Sequence, residues 1–429
     1  MRIAIICEVY LPKVDGVVGR TLNLINQLLN NGDEVVVVCP QVSVPRNSPV
    51  PMIEFPGFPC VSYPEYVIGR PDQRLIQELK AFHPDVVHFL NPFAFGFQCC
   101  DLLCRSELKV PALFSFHTLY GEFVKQYSGL QGLSRVLWWL TRSYHNTADR
   151  NLTVSSVMAE DLRNRGFDRV ALWPPAVDSA SFSPDRSNSA MRRRLCGNHQ
   201  ESPLLLTVSR LACEKNVSFL TEVLRRVPEA TLAIVGDGPQ RAQLERRFTR
   251  YKTQFVGYLH GDELAAAYAS ADAFVYASET ETMGNVVLEA MASGLPVIAA
   301  KAGGVTSLIQ HGIDGFLFSP RNANEAAGYV REVIEVPKRH EQISAAALAS
   351  VQTRTWQNSG DAVRAHYQQI IDEFAESSAA EEVRRQPGKM AALATNLLVL
   401  MFQLTAPRLA DSRPISRTAL EPKQVNAGI

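Results

Sequence analysis

The sequence predicts an α/β protein built as two doubly wound, Rossmann-like domains that face each other across a central cleft. Three observations predict it. The chain opens on an apolar β run, an amphipathic helix and a second apolar run, a βαβ unit that implies a parallel sheet with helices on both faces. A comparable α/β series starts at Leu204. Between the two, from Trp173 to Pro203, the sequence is irregular and carries Pro174, Pro175 and Pro184, which reads as an interdomain connection.

In chain order, residues 2–7 form the first strand and the loop Glu8 to Val17 follows. A helix then carries Leu22, Ile25, Leu28 and Leu29 on one face and stops at Gly32. Residues 34–39 supply the next strand, and further strands are expected at 85–89, 112–116 and around 151–154. In the second series, 204–209, 230–236, 253–256, 273–276 and 296–299 read as strands. The stretch 356–374 reads as a helix that comes after the second domain has used its strands, so it packs back across the hinge. The domains are therefore 1–185 with the returning helix 356–375, then 200–355, then a tail from 376 to 429. In open parallel sheets ligands bind at the carboxyl ends of the strands, and two such edges meeting make a cleft.

The tail differs from the rest. Residues 376–388 are polar, whereas 390–406 are apolar and contain Leu397-Leu398-Val399-Leu400-Met401-Phe402. Interrupted by Thr395, Asn396, Gln403 and Thr405, this run falls short of the ~20 apolar residues that span a bilayer. It reads as an interfacial or protein-packed helix, and 411–429 has the composition of a disordered end.

The 429 residues correspond to about two or three domains. The 43 basic and 43 acidic residues cancel, which argues against a nucleic-acid partner. The chain enters its first strand directly, without a secretory leader, so a cytoplasmic location is expected. Of the eight cysteines, Cys7 and Cys39 fall in strands and Cys99, Cys100 and Cys104 on one apolar segment. None has paired CxxC spacing or a histidine pattern. Buried thiols are expected ahead of zinc or a disulfide framework.

The most informative stretch runs from Ser278 to Val297 and reads as polar loop, helix and strand. Glu281 lies in the loop and Glu289 falls inside the helix. A helix N-terminus offers unpaired N–H groups and partial positive charge to an anion or to sugar hydroxyls. Glu289 could equally mark the solvent edge of a mostly buried helix. Four more loops stand at strand ends. Gly16, in Lys13-Val14-Asp15-Gly16-Val17-Val18, either lets backbone approach a pyrophosphate or serves the turn. Arg210 and Lys215 either reach a diphosphate or form a surface basic pair. Gly236-Asp237-Gly238-Pro239 is a tight turn that can also bring backbone near a nucleotide base. His117, in Ser115-Phe116-His117-Thr118, is either a satisfied buried imidazole or a contact to a reacting group.

Other chemistries find little support. The sequence has no GxSxG, HExxH or GxxxxGK[ST] motif and no Asp-x-Asp pair to chelate a nucleotide-bound cation. Any anion is then neutralised by Arg, Lys and helix ends, with no metal or other cofactor required. A NAD-linked oxidoreductase lacks its GxGxxG. A scaffold without turnover is disfavoured by the intact set Glu281, Glu289, Arg210, Lys215 and His117.

That ordered set, with Gly16, Gly236-Asp237-Gly238-Pro239 and Ala302-Gly303-Gly304, resembles the retaining nucleotide-sugar glycosyltransferases of family 4, which have the GT-B fold, over roughly residues 1–375. The resemblance implies that Arg210 and Lys215 hold the diphosphate of a UDP- or GDP-sugar, with Gly236 and Gly238 also on the donor side. Glu289 would bind the ribose hydroxyls. Glu281, with the backbone of Met283, Gly284, Asn285 and Val286, would hold the donor sugar. His117 would contact that sugar from the opposite domain, and the Gly16 loop would close over the phosphates. The family's stereochemistry is explained by front-face attack, in which the leaving phosphate oxygen takes the acceptor's proton, so no protein base is assigned.

Val14-Asp15-Gly16-Val17-Val18, Ser115-Phe116-His117-Thr118, Val208-Ser209-Arg210-Leu211, Ser278-Glu279-Thr280-Glu281-Thr282 and the stretch from Tyr268 to Val275 look like sulfoquinovosyldiacylglycerol synthases in particular. Those enzymes move sulfoquinovose from UDP onto diacylglycerol. Met283 and Asn285 depart from the expected Leu, and Ala176 from the usual Gly. A hexosyl- or mannosyltransferase acting on another lipid or a soluble acceptor stays open beside this reading. Independently, residues 123–142 mix aromatic, aliphatic and basic side chains, as a peripheral membrane contact at the inner face would, or as a helix packed in the core would. For a sulfonated donor, Lys125, Arg142 and Lys301 are the cations considered.

Overall fold

The computed structural model describes residues 1–13, 16–60, 63–118, 134–376 and 386–405. The first half contains β1 (Arg2–Cys7), β2 (Glu34–Pro40), β3 (Met52–Phe55), β4 (Gly57–Cys60), β5 (Tyr63–Gly69), β6 (Val86–Leu90), β7 (Ala112–Phe116), β8 (Arg150–Thr153) and β9 (Val170–Leu172). The second contains β10 (Leu204–Val208), β11 (Thr231–Val235), β12 (Thr253–Gly257), β13 (Ala273–Tyr276), β14 (Val297–Ala300) and β15 (Phe316–Phe318). Seven strands form one sheet in the order β3-β2-β1-β6-β7-β8-β9, and six form another in the order β12-β11-β10-β13-β14-β15. Both sheets are parallel throughout, while β4 and β5 make a separate antiparallel ribbon.

The strands are near-continuous apolar runs because helices cover both faces. Ile3, Ala4, Ile5 and Ile6 are sealed from solvent, as are Leu204, Leu205 and Leu206 in the second sheet. Each strand order reverses once, between β1 and β6 and between β10 and β13. Such switch points splay the following loops apart and leave a crevice at the carboxyl edge. The loops after β1, β7, β10 and β13 carry Gly16, His117, Arg210 and Glu281, so topology alone brings these residues to two facing edges.

The opening helix, Gly16–Asn30, buries Val18, Thr21, Leu24, Ile25 and Leu28. This corrects the expected stripe. Leu22 is only partly buried and Leu29 is exposed, because the 3.6-residue period centres the inner face on 18, 21, 25 and 28. The connection after Trp173 is also more ordered than its prolines suggest. Asn188 accepts from Met191 N at 2.8 Å and caps a helix, Ser189–Cys196, ended by Gly197. Met191, Leu195 and Cys196 pack into the second domain's core, and Arg192 pairs with Asp272 at 2.8 Å.

The helix Trp356–Glu376 packs on the first domain. Val363, Tyr367 and Ile370 enter the core behind β1, and Arg364 meets Asp33, which also takes the N-terminal ammonium, at 2.8 Å each. The tail helix, Lys389–Thr405, packs Ala391 and Val399 against the first domain, and Thr395 donates to Tyr144 at 3.0 Å. Its outer side exposes Met390, Leu393, Leu397 and Leu400. Among the described residues no helix is long and apolar enough to cross a membrane. The expectations for 411–429 and for 123–133 lie outside the described residues. Seven cysteines are buried, Cys213 is exposed, and none of the eight is in a disulfide.

Candidate active site

On the second domain's edge, Glu281 is a hub. Tyr276, the last residue of β13, and Ser278 each donate a hydroxyl to its Oε1 at 2.7 Å. Lys215 brings its ammonium to the same oxygen at 2.5 Å. Burial favours the neutral acid, but the Lys215 charge and the three hydrogen bonds outweigh it and hold Glu281 below the ordinary glutamate range. The loop owes its shape to Gly303 and Gly304 beneath it. Gly304 N donates to Glu281 O at 2.7 Å, and a Cβ on Gly304 would overlap Thr282 O.

Gly284, at φ +95°, starts the helix Asn285–Ala292. Its N-terminus points into the cleft from between Glu281 and Glu289. Asn285 Oδ1 is buried there without a hydrogen-bond partner among the described residues. Across the cleft, a Cβ on Gly16 would lie 3.2 Å from Asn285 Nδ2, so the Gly16 loop does reach this helix end. Glu289 is partly exposed between the buried Leu288 and Ala290, with its carboxylate held at one oxygen. Tyr268 donates to its Oε2 at 2.8 Å, and burial pushes its carboxyl up to about 7.

Arg210 is exposed on the loop after β10 and Lys215 is half-buried in the short turn that follows. Gly236 and Gly238 have a reason the sequence did not show. A Cβ on Gly236, at φ +124°, would overlap Ser209 O, and one on Gly238 would lie 2.6 Å from Leu211 O. Leu211 N donates to Asp237 O at 2.9 Å. The glycine turn thus locks the Arg210 loop in place, and Ser209 Oγ is left buried without a partner among the described residues.

On the first domain's edge, His117 is 7% exposed. Its Nε2 bonds Ser115 Oγ at 3.0 Å, its backbone N–H donates to Asn91 at 3.2 Å, and its ring lies edge-on to Trp173. Burial, with Arg20 and His88 nearby, holds it well below the ordinary histidine range, so it is neutral. His117 is thus a buried imidazole with one nitrogen satisfied inside, placed at the carboxyl end of β7.

Two cross-cleft residues were not legible in the sequence. Arg20, 2% exposed, donates to Trp173 O at 3.0 Å, Pro174 O at 2.7 Å and Met283 Sδ at 3.1 Å. Its guanidinium lies 4.4 Å over the Trp173 ring. Burial lowers it to about 9, which leaves it charged at neutral pH. Ser155 caps the helix Ser156–Asn164 and donates to Thr282 O at 3.0 Å. An arginine on an otherwise apolar helix face is the one sequence signal that could have found Arg20.

Of the cations considered for a sulfonate, Lys125 lies outside the described residues. Arg142 is a correction. It donates to Arg165 O at 3.0 Å in the last turn of the helix Ser134–His145, which leads into the start of β8, the sheet edge opposite the cleft. Lys301 follows β14 and is exposed on the cleft side. Among the described residues no three His, Cys, Asp or Glu side chains gather as a metal site.

Residues 14–181 match the family model described as Glycosyltransferase Family 4, and residues 194–349 match glycosyl transferases group 1. A sulfoquinovosyl transferase of Arabidopsis thaliana is 36% identical over 82% of this chain and 70% of its own. The chain is a family 4 glycosyltransferase. A GDP-mannose-dependent α-mannosyltransferase of Mycolicibacterium smegmatis is 36% identical over 86% of this glycosyltransferase and 98% of that protein. An α-monoglucosyldiacylglycerol synthase of Streptococcus pneumoniae is 25% identical over 96% and 95%. The fold is GT-B. An Anabaena protein solved with UDP superposes with a TM-score of 0.69 at 18% identity, covering 86% of this glycosyltransferase and all of that chain.

Proposed function

We propose that this glycosyltransferase moves a sugar, with retention at the anomeric carbon, from a nucleotide donor to a lipid acceptor. The donor proposed is UDP-sulfoquinovose and the acceptor diacylglycerol. The observation that carries the reading is the meeting of Lys215, Glu281, the Gly284–Asn285 helix end and Glu289 on one edge, with His117 and Gly16 facing them. Arg210 and Lys215 neutralise the diphosphate, Glu289 takes the ribose hydroxyls, and Glu281 and the helix end hold the sugar. Gly236 and Gly238 act by fixing the Arg210 loop.

In the reaction the bond from C1 to the phosphate oxygen breaks, and a bond from C1 to the acceptor oxygen forms on the same face. The departing phosphate oxygen takes the acceptor's proton. Cations and helix N–H groups stabilise the charge that grows on that phosphate, which is where fixed charge lowers a barrier most. Glu281 Oε1, already taking three donors, is assigned no base role, and the scheme needs no metal.

The lipid acceptor draws support from the diacylglycerol-directed relative and from the first domain's surface. The exposed Met390, Leu393, Leu397 and Leu400 recur at helical spacing on the tail helix. That helix packs against Ser134–His145, which exposes Val136 and Trp139. Neither helix contains Asp or Glu, and Arg135, Arg142 and Lys389 lie on them. Apolar residues, an aromatic and cations without acids suit a peripheral contact with an anionic inner leaflet. A mannosyltransferase reading is favoured by the second relative, which matches over nearly its whole length. The test is incubation with a panel of UDP- and GDP-sugars and diacylglycerol vesicles, with products identified by mass. Sulfoquinovosyldiacylglycerol as the main product supports the proposal, and transfer from GDP-mannose alone refutes it.

A further inference from the structure

Behind His117 runs a buried chain of hydrogen bonds that starts on the returning helix. Tyr367 OH lies 2.6 Å from His88 Nδ1, His88 Nε2 lies 2.9 Å from Ser115 Oγ, and Ser115 Oγ lies 3.0 Å from His117 Nε2. Tyr367, His88 and Ser115 are each fully sealed from solvent. We infer that Tyr367, acting through His88 and Ser115, fixes His117 in its Nδ1–H tautomer and presents that N–H to the cleft.

The argument is a count of protons. Burial holds His88, like His117, well below the ordinary histidine range, so both imidazoles are neutral, and the four groups carry one mobile proton each. Three hydrogen bonds use three of the four. If the chain ran from His117 toward Tyr367, the phenol O–H would point into the core with no acceptor among the described residues. If both imidazoles donated to Ser115, its own O–H would be orphaned instead. Buried donors without acceptors are rare. One arrangement leaves none: Tyr367 donates to His88 Nδ1, His88 Nε2–H to Ser115, and Ser115 to His117 Nε2. The fourth proton then sits on His117 Nδ1, which has no partner among the described residues and is not among the sealed, unpartnered atoms.

His117 is thereby a hydrogen-bond donor to the ligand, never an acceptor, and the residue that decides this sits on a helix contributed after the second domain. Resting on the reading of the cleft as the donor-sugar site, the Nδ1–H would donate to a hydroxyl or other oxygen of that sugar. Tyr367, His88 and Ser115 are positioning residues.

The experiment is a long-range proton–nitrogen NMR correlation on the full chain labelled with [15N]histidine, which reads tautomers directly. The His117 signal is identified by its loss in His117→Asn. The expected result is Nδ1–H in the parent. In Tyr367→Phe and in Ser115→Ala, which cut the chain at different bonds, that single form gives way to a mixture or to Nε2–H. Donor KM then rises about tenfold, the size of one hydrogen bond, with affinity for UDP alone unchanged. Should Tyr367→Phe not fold, Ser115→Ala decides. An Nε2–H signal in the parent, or an unchanged tautomer in the folded variants, overturns the inference. An Nδ1–H signal without any donor binding leaves the tautomer standing and overturns the donor-site reading alone.

Discussion

Lys215 Nζ and Glu281 Oε1 stand 2.5 Å apart, both largely withdrawn from solvent. The pair joins the loop after β10 to the loop after β13, across the switch point of the second sheet. Removing the cation in Lys215→Ala leaves a carboxylate held only by hydroxyls. Stability is expected to fall by about 1–3 kcal/mol, read by urea denaturation. Turnover should fall at least ~100-fold, as for loss of a charge aimed at the developing anion.

Glu289 gives a pH dependence with a definite sign. Its folded value, about 7, lies above that of an unfolded glutamate, so between those values the folded state holds a proton the unfolded state has lost. Parent stability therefore declines as pH rises from roughly 4.3 to about 7 and levels off above. Glu289→Gln keeps an acceptor for Tyr268 and has no such decline. In ligand-free thermal denaturation the variant should gain over the parent through that window and hold the gain at pH 8. In the same variant, affinity for UDP should drop about tenfold or more at pH 8, because the amide cannot accept two ribose hydroxyls as the carboxylate does.

Arg20 ties the opening helix, the interdomain connection and Met283 together, with no carboxylate partner among the described residues. Arg20→Ala strands the Trp173 carbonyl and opens a cavity, while Pro174 O still accepts from Ser359 at 2.7 Å, and a stability loss of about 3 kcal/mol is expected. Met283→Leu removes only the thioether contact and should cost less than ~1.5 kcal/mol. Equilibrium denaturation of the two variants checks the contrast.

A Cβ on Gly236 meets Ser209 O at a positive φ. Gly236→Ala must push the Arg210 loop away, so affinity for UDP should weaken at least ~10-fold even where the variant stays folded. Calorimetric titration of the purified variant reads this.

The sequence showed the two-domain plan because long apolar strands and amphipathic helices carry their pattern locally. It missed β3, β9 and β15, which are sheet edges of three or four residues, and the separate ribbon of β4 and β5, because segments this short, or broken by Gly and Pro as β4 and β5 are, carry too little of the period-2 pattern to read. Glu281, Glu289 and Lys215 were legible as a spaced motif. Arg20 was not, since its acceptors lie 153 and 154 residues away and nothing around residue 20 announces them. Nothing around Ser155 marks its second bond, because Thr282 comes to it from the other domain, 127 residues away. For Gly236 and Gly238 the residue type was visible, but the cause, one loop's backbone pressed on another's, was not.

The central claim is that a nucleotide diphosphate lies against the loop after β10 and the helix end after β13. Its most direct test is calorimetric titration of UDP into the parent chain and into the Arg210→Ala, Lys215→Ala double variant. The account predicts one site per chain in the parent and a loss of affinity of at least ~100-fold in the variant, from two charge-assisted contacts removed together. Equal affinity in the two proteins would contradict it.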